Sequence, residues 1–124
     1  MEPIQVLVVD DLEFMRQAIT DILRDAGIVV TGEAANGAEG IEAYLNLHPD
    51  VVLMDITMPV MNGLQALNGI RRRDPKASVV MCSALGQQRY VIRAIQLGAR
   101  DFVVKPFRHE RIVSAVRKAA SGRR

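Results

Sequence analysis

Cysteine is nearly absent from the sequence, and Cys82 is its single example. One thiol can form neither an internal disulfide nor a zinc site, so both are excluded. Cys82 lies within the apolar run Val79–Cys82, which is typical of a cysteine that acts as a small buried hydrophobic residue. We therefore assign Cys82 no chemical role.

Long hydrophobic runs are also absent. No apolar stretch approaches the roughly 20 residues that a membrane-spanning helix needs. The first residues, Met1-Glu2-Pro3, have the character of neither a signal peptide nor a transit peptide. We therefore expect a cytoplasmic protein without membrane insertion.

The sequence carries little excess charge of either sign, with a formal net charge of +2. Its longest basic block is Arg71-Arg72-Arg73, whose side chains would spread around the surface of a helix and are typical of a solvated face. The charge pattern therefore predicts no nucleic-acid partner.

Short apolar strands alternate with amphipathic helices along the whole sequence. This alternation predicts right-handed crossovers and a parallel sheet covered by helices on both faces, so the fold class is α/β. The predicted strands are Ile4–Val9, Ile28–Ala34, Val51–Met54, Ala77–Cys82 and Asp101–Val104. Five helices are predicted as well, within one domain over residues 1–120, and residues 121–124 are expected to form a frayed tail.

The third predicted strand leads into Asp55-Ile56-Thr57-Met58-Pro59. The residue before a proline is disfavoured in the helical region, so residues 55–63 are predicted to form a loop. This loop would hold the Asp55 carboxylate at a solvent-accessible end of the sheet.

Polar residues stand at the carboxyl ends of four predicted strands, where open α/β sheets bind their ligands. They are Asp10 and Asp11 after the first strand, Asp55 after the third, Ser83 after the fourth and Lys105 after the fifth. Three neighbouring carboxylates repel one another, and a single lysine does not offset that repulsion. A divalent cation is therefore implied, and oxygen ligands with room for water favour Mg²⁺. Taken alone, Asp11 has the alternative role of a helix N-cap.

A carboxylate beside Mg²⁺, a lysine and a hydroxyl can act as the nucleophile toward a phosphoryl group, because these neighbours stabilise the charge on its oxygens. Asp55 is the predicted nucleophile and would become an acyl phosphate. The sequence has neither a Gly-x-x-x-x-Gly-Lys-Ser/Thr loop nor a dinucleotide fingerprint. We therefore expect phosphate to arrive covalently and not as a bound nucleotide.

These motifs resemble those of the receiver domains of two-component response regulators, and the likeness covers essentially all 124 residues. The motifs that carry it are Asp10-Asp11, Asp55 with Met58-Pro59 and Asn62-Gly63, Ser83, and Lys105-Pro106-Phe107. Within the family, Met54–Pro59, Met81–Ala84 and Gly86–Gln88 are most similar to single-domain chemotaxis regulators. The resemblance implies a flavodoxin-like, doubly wound (βα)5 fold with strand order 2-1-3-4-5.

The resemblance also implies a role for each acidic residue of the site. Asp55 would be the phosphoacceptor. The Mg²⁺ ligands would be Asp10, Asp11, Asp55 and the backbone carbonyl of Thr57.

Further roles carry over to the remaining motif positions. Lys105 would pair with the phosphoryl group, and Ser83 would donate a hydrogen bond to it. Ser83 and Phe102 would be the two switch residues. Thr57 and Leu85 stand at positions that influence how fast water removes the phosphoryl group.

We further hypothesise an output surface formed by the predicted fourth helix, the fifth strand and the last helix. Its residues would be Tyr90, Val91, Ile95, Phe102, Arg111 and Arg117. Ile92 and Ala99 are predicted to supply the core face of the fourth helix. The alternative for the apolar members of this surface is a broader core contact.

The family resemblance implies a signalling switch that catalyses only its own phosphorylation and autodephosphorylation and signals by altered partner binding. Expected partners are a chemotaxis-type histidine kinase and a flagellar motor switch protein, with a dedicated phosphatase as an open option, and the protein is expected to be monomeric. Three alternatives stay open: a receiver cut from a larger regulator such as a transcription factor, a phosphoryl sink, and an aspartyl phosphohydrolase. A hydrolase of the haloacid dehalogenase type would carry a second acid where this chain has Thr57.

Overall fold

The computed structural model describes residues 2–84 and 86–123. Two residues with a predicted role lie outside this range. They are Leu85, predicted to influence how fast water removes the phosphoryl group, and Arg124, in the predicted tail. The strands are β1 (Gln5–Val9), β2 (Val29–Ala34), β3 (Val51–Asp55), β4 (Val79–Ser83) and β5 (Asp101–Val104). The helices are α1 (Glu13–Asp25), α2 (Gly37–Leu47), α3 (Gly63–Arg73), α4 (Val91–Gln96) and α5 (His109–Arg123), with a 3-10 turn at Gln88–Tyr90.

The five strands form one sheet in the order β2-β1-β3-β4-β5, and every neighbouring pair is parallel. Strands alternate with helices along the described chain, as in a flavodoxin-like fold. The predicted fold class and strand order are therefore confirmed. None of the helices in the described part of the chain has the length and apolar character that crossing a bilayer requires.

The central strands β3 and β4 are buried at every position. Because successive side chains of a strand point to opposite faces, each strand contributes side chains to the two hydrophobic cores on either side of the sheet. Leu53 and Val80 pack in the core beneath α1 and α5, whereas Met54 and Met81 pack in the core beneath α2, α3 and α4. Helices on both faces explain why these strands are apolar throughout and do not alternate.

Helix α5 continues through residues 121–123, so the described part of the predicted tail is helical. Side chains from outside the helix satisfy carbonyl groups of its last turns. Ser78 Oγ donates to the carbonyl oxygen of Ala119 at 2.8 Å, and Arg100 Nη2 donates to that of Gly122 at 3.2 Å. These bonds hold the end of α5 against the sheet.

Helix α4 is short and buries a different side chain from the one predicted. Ala94 is fully buried, whereas Ile92, which was predicted to face the core, is 71% exposed. The prediction for Ile92 is therefore wrong. Helix α4 contacts α3 and β5, and the small buried Ala94 allows it to lie close to the sheet, while Ile92 and Ile95 face outward.

Val60, in the loop after β3, has a φ of 69° and is 84% exposed. A β-branched residue in this left-handed region costs about 1–2 kcal/mol. We expect Val60→Asn to raise the free energy of unfolding by about 1 kcal/mol, because asparagine tolerates this conformation. Urea denaturation measures the change. Val60→Ile keeps the branched side chain and should leave the stability unchanged, and a loss of stability in the asparagine variant would contradict the argument.

Candidate functional site

Three carboxylates meet at the carboxyl edge of the sheet, and we call Asp10, Asp11 and Asp55 the acid cluster. One carboxylate oxygen from each lies within 4.8 Å of the others. Asp55 is the last residue of β3, and Asp10 follows β1, whose Val9 pairs with Met54. Asp10 and Asp55 are buried, whereas Asp11 is exposed.

Asp10 is held in place by bonds of both its backbone and its side chain. Its amide donates to the carbonyl oxygen of Ala34 at 3.0 Å, and its Oδ1 accepts from the amide of Leu12 at 2.9 Å. Arg16 Nη1 donates to the Asp10 carbonyl oxygen at 2.7 Å. The N-cap of α1 is Leu12, so Asp11 does not cap the helix, and its carboxylate stays at the exposed side of the cluster.

Asn62-Gly63 fixes the far end of the loop that follows Asp55. Asn62 caps α3 through a capping box with Gln65, and the Gly63 amide donates to the carbonyl oxygen of Ile56 at 2.7 Å. A Cβ at Gly63 would lie 1.9 Å from the backbone oxygen of Asp55. Only glycine fits so close an approach, so the loop is tied directly to the end of β3.

Lys105 connects the fifth strand to the acid cluster. Its Nζ lies 2.9 Å from Asp10 Oδ2 and 3.4 Å from Asp55 Oδ1, and its backbone amide donates to the Ser83 carbonyl oxygen at 2.6 Å. One ammonium therefore faces two buried carboxylates, while the Asp11 carboxylate adds a third negative charge within the same cluster.

Ser83 is the last residue of β4 and is completely buried. Asp55 pairs with Cys82 across the two strands, so Ser83 follows immediately at the same edge. Its Oγ has no hydrogen-bond partner among the described residues. Buried hydroxyls are nearly always paired in native structures, so this one is placed to bond an atom that enters the site.

The two charged partners at the centre of the site have shifted pKa values. Burial raises the pKa of Asp55 to about 6, because desolvation and the charge of Asp10 outweigh the opposing charge of Lys105. Burial by itself lowers the pKa of Lys105, but its hydrogen bond to Asp10 and the charges of Asp55 and Asp10 raise it overall. The ammonium is therefore kept charged, while ionised Asp55 is destabilised in the absence of a further cation.

In metal-free protein, Asp55→Asn is expected to raise the free energy of unfolding by about 2–3 kcal/mol at about pH 7.5. The Asp55 pKa is about 6 in the folded protein against a model value of 3.8, so ionisation opposes folding. The free energy of unfolding of the wild type should therefore fall as the pH rises from about 4 to about 6. The wild type and the variant should be equally stable near pH 4. Urea denaturation with a chelator tests this. A difference that is the same at both pH values would contradict it.

The donor set of the acid cluster fits a hard divalent cation. It consists of carboxylate oxygens, without histidine or thiolate, and one member is exposed, which leaves room for water ligands. The single ammonium of Lys105 leaves negative charge uncompensated at the cluster. Mg²⁺ therefore suits these residues.

Phe102, the predicted switch residue, and part of the proposed output surface lie together. Phe102 and Tyr90 are half-buried against the core beneath α2, α3 and α4, and Val91 is also half-buried. Ile95 is 61% exposed beside them on α4. The apolar residues of this surface are thus partly core and partly exposed.

The two arginines of the proposed output surface lie in different places. Arg111 donates to the Asp101 carboxylate at 3.1 Å through both terminal nitrogens, next to Phe102 on β5. Arg117 Nη2 instead donates to the carbonyl oxygen of Ala26, just after α1, at 3.2 Å. The structure therefore does not bring Arg117 to the α4–β5 surface. Helical position alone could not show which side of α5 each arginine occupies.

One contact beside the site was not predicted. Gln87 Nε2 donates to Thr57 Oγ1 at 2.5 Å, and Gln87 Oε1 accepts from the Ala84 amide at 2.9 Å. The sequence analysis used Gly86-Gln87-Gln88 only as a motif shared with the family. It could not predict this contact, because no spacing rule links residues that are 30 positions apart.

A doubly wound α/β domain with an acid cluster and a lysine at the carboxyl edge of its sheet defines a class of small domains that handle phosphoryl groups on an aspartate. The family model of the response regulator receiver domain matches residues 6–117. The chemotaxis protein CheY of Thermotoga maritima is 53% identical over 116 residues, which is 94% of this chain and 97% of that protein. The chemotaxis protein CheY of Bacillus subtilis is 52% identical over 114 residues, 92% and 95% of the two chains.

A solved structure is similar over nearly the same length. The CheX–CheY–BeF3–Mg²⁺ complex from Borrelia burgdorferi has a chain with a TM-score of 0.89 and 36% identity, covering 94% of this chain and 88% of that one. The chain therefore belongs to the response regulator receiver domain family. It is a phosphorylation switch and not an enzyme of the usual kind, its cofactor is Mg²⁺, and the carboxylates of the acid cluster fit that cation.

Proposed function

We propose that Asp55 accepts a phosphoryl group from a histidine kinase and that the phosphorylated chain controls the flagellar motor in chemotaxis. One observation carries the proposal: the Lys105 ammonium contacts both Asp10 and Asp55, and the Lys105 amide bonds the carbonyl oxygen of Ser83, whose buried hydroxyl has no partner among the described residues. This arrangement supplies a nucleophile, a cation and a hydrogen-bond donor at one point.

In the proposed reaction, a carboxylate oxygen of Asp55 attacks the phosphorus of a phosphohistidine. The new phosphorus–oxygen bond forms as the phosphorus–nitrogen bond breaks, and the electron pair returns to the imidazole. Lys105 offsets charge on the phosphoryl oxygens, and the Ser83 hydroxyl donates to one of them.

We assign Mg²⁺ binding to the side chains of Asp10, Asp11 and Asp55 and to the backbone carbonyl of Thr57. The bound cation supplies positive charge that stabilises the phosphoryl oxygens. Asp10 and Asp55 are the buried members of this set, and Asp11 lies at its exposed side.

The output of the switch follows from the charge that phosphorylation adds, about −1.5 to −2 at neutral pH. The Lys105 ammonium contacts Asp55, Ser83 lies at the same edge of the sheet, and Ser83 directly precedes the loop that leads to α4. Phosphorylation would favour a conformation in which Ser83 turns toward the phosphoryl group and half-buried Phe102 shifts with it. The protein therefore signals by a population shift at the surface of α4 and β5.

The acceptor reaction is tested by intact mass after incubation with Mg²⁺ and acetyl phosphate. We expect a labile gain of one phosphoryl group, which a chelator prevents. No gain at any Mg²⁺ concentration would overturn the proposal.

The chemotaxis assignment is supported by the two relatives that are about half identical over nearly their whole length. The proposed partners are a chemotaxis-type histidine kinase and a flagellar motor switch protein. The solved complex with CheX supports a further protein partner, which we propose to be a dedicated phosphatase. We propose that the protein works in the cytoplasm as a monomer.

Ile95→Asp is expected to weaken binding of the phosphorylated chain to the motor switch protein at least about tenfold, because a charge would enter an apolar contact. Ile95 is suited to this test because it is exposed, whereas Val91 is half-buried and its replacement would disturb packing. Phosphoryl uptake should be unchanged. Leu45→Asp, at a 40% exposed position on α2, is the matched control. Equally weakened binding in both variants would show that α4 is not part of the interface with the motor switch protein.

A further inference from the structure

The outer edge of β5 is closed by side chains at Phe102. Strand β5 ends the sheet order, so in the described part of the chain it has a strand on one side only. The Phe102 amide donates to Asp101 Oδ1 at 2.7 Å, and Arg111 Nη2 donates to the Phe102 carbonyl oxygen at 3.4 Å. Arg111 also donates to both carboxylate oxygens of Asp101, each at 3.1 Å. We call these four hydrogen bonds the edge clamp.

Both side chains of the edge clamp are charged at neutral pH. Burial by itself raises the pKa of Asp101, but the hydrogen bonds from Arg111 and from the Phe102 amide lower it overall. An edge strand normally leaves such backbone groups open to water or to another strand. The clamp instead bonds both backbone groups of Phe102 within the chain, so it restrains the backbone of this residue.

Strand β5 connects the acid cluster with the surface of α4 and β5. After its last residue, the Lys105 amide donates to the carbonyl oxygen of Ser83 at 2.6 Å, and the Lys105 ammonium contacts Asp55. Three positions earlier, the clamp bonds Phe102 to Arg111 of α5. The backbone of β5 is thus held at both ends, while the side chain of Phe102 is half-buried against the core beneath α2, α3 and α4.

We propose that Arg111 is a positioning residue of the switch. Through the edge clamp it holds the backbone of Phe102, so that the rearrangement which follows phosphorylation of Asp55 is confined to the Phe102 side chain. This inference rests on the proposed function, in which Asp55 is the acceptor and Phe102 responds to it. Arg111 acts through Asp101 and the strand, and not through a bond of its own to the partner.

Restraint of this backbone affects how strongly partner binding depends on the phosphoryl group. With the clamp intact, the Phe102 side chain adopts the partner-binding arrangement mainly when the phosphoryl group favours it. With the clamp broken, the strand edge can move at Phe102 in both forms, and the unphosphorylated chain also reaches that arrangement. The affinity ratio, which is the dissociation constant of the unphosphorylated chain divided by that of the phosphorylated chain, should therefore fall.

Arg111→Lys is the primary variant, because it keeps the positive charge and removes the planar fork that bonds the carboxylate and the carbonyl oxygen together. We expect the affinity ratio for the motor switch protein to fall about two- to fivefold, as is typical of a partly exposed ion pair, with phosphoryl uptake unchanged. Asp101→Asn should lower the ratio as much, and the double variant should lower it no further than either single one. If Arg111 bonded the partner itself, Asp101→Asn would not lower the ratio. An unchanged ratio in either single variant would overturn the proposal.

Arg117→Lys is the matched control, with the same substitution on the same helix. Arg117 donates to the carbonyl oxygen of Ala26 and lies away from the surface of α4 and β5. The affinity ratio of this variant should therefore equal that of the wild type. A fall as large as that in Arg111→Lys would show a general effect of α5 and would overturn the role of the clamp.

Amide hydrogen exchange tests the clamp without a partner. In the wild type, the Phe102 amide should exchange slowly both without a phosphodonor and with Mg²⁺ and acetyl phosphate, because the clamp holds in both forms. Arg111→Lys should speed exchange of the Phe102 amide and leave the Lys105 amide unchanged, since the latter is bonded to Ser83. Faster exchange of the Phe102 amide on phosphorylation of the wild type would overturn the proposal.

Failure of the proposed function gives a different result from failure of this inference. If the wild type gained no phosphoryl group, or bound the motor switch protein equally well in both forms, the proposed function would fail and the positioning role with it. Phosphoryl uptake and a high affinity ratio in the wild type, with the same ratio in Arg111→Lys, would overturn the positioning role alone.

Discussion

Asp55→Asn is expected to lower phosphoryl uptake from acetyl phosphate by more than about 100-fold, to the level of the chelated wild type. An amide carries no negative charge and cannot form the acyl phosphate. Asp55 is also the acid at the end of β3, paired with Cys82 of the neighbouring strand next to Ser83, and its Oδ1 lies 3.4 Å from the Lys105 ammonium. Intact mass after incubation with Mg²⁺ measures the labile gain.

Loss of uptake in this variant should not reflect loss of fold. The charge of Asp55 opposes folding at neutral pH because burial raises its pKa to about 6, so the amide should leave the metal-free protein more stable. Asp21→Asn, on the exposed side of α1, is the control and should take up phosphate normally. Undiminished uptake by the Asp55 variant would place the acceptor elsewhere.

The parts of the fold that the sequence predicted are those set by local patterns. Unbroken apolar runs identified β3 and β4, since a strand covered on both faces has no polar side. The place of Asp55 followed from Pro59, which excludes helix directly after the strand. The acid cluster could be predicted from the topology, because the carboxyl ends of parallel strands meet at one edge of the sheet.

Other features depend on packing that no local pattern reports. Ile92 fits the core face of a helix as well as Ala94 does, and only the close approach of α4 to the sheet selects the smaller residue. Arg117 could lie on either side of α5 until its bond to Ala26 is seen. The helical end of α5 depends on Ser78 and Arg100, which are distant in sequence.

The carboxylates of the site compete for the positive charge of Lys105. Asp10 and Asp55 are both buried, and among the described residues Lys105 is the one ammonium that reaches both. A divalent cation or a phosphoryl group changes the charge that Lys105 faces, and the Lys105 amide is bonded to the Ser83 carbonyl. Lysine, serine and the acid cluster are therefore connected before any phosphoryl group arrives.

Lys105→Met is expected to lower the free energy of unfolding of the metal-free protein by about 3–5 kcal/mol, because it leaves two buried carboxylates without their cation. Asp10 is almost completely buried, and its Oδ2 lies 2.9 Å from the Lys105 ammonium. Methionine keeps much of the length of the side chain, so the change removes charge more than volume. Urea denaturation with a chelator measures the loss.

Mg²⁺ should restore much more stability to this variant than it adds to the wild type. A ligand that binds only the folded state stabilises it according to its affinity, and without the ammonium the carboxylates attract the cation more strongly. Arg16→Met is the control, since Arg16 bonds the backbone oxygen of Asp10 and the half-exposed Glu33. It should lose only about 1 kcal/mol, with a Mg²⁺ response like that of the wild type. An equal Mg²⁺ response in the lysine variant would mean that Lys105 and the cation do not share the same carboxylates.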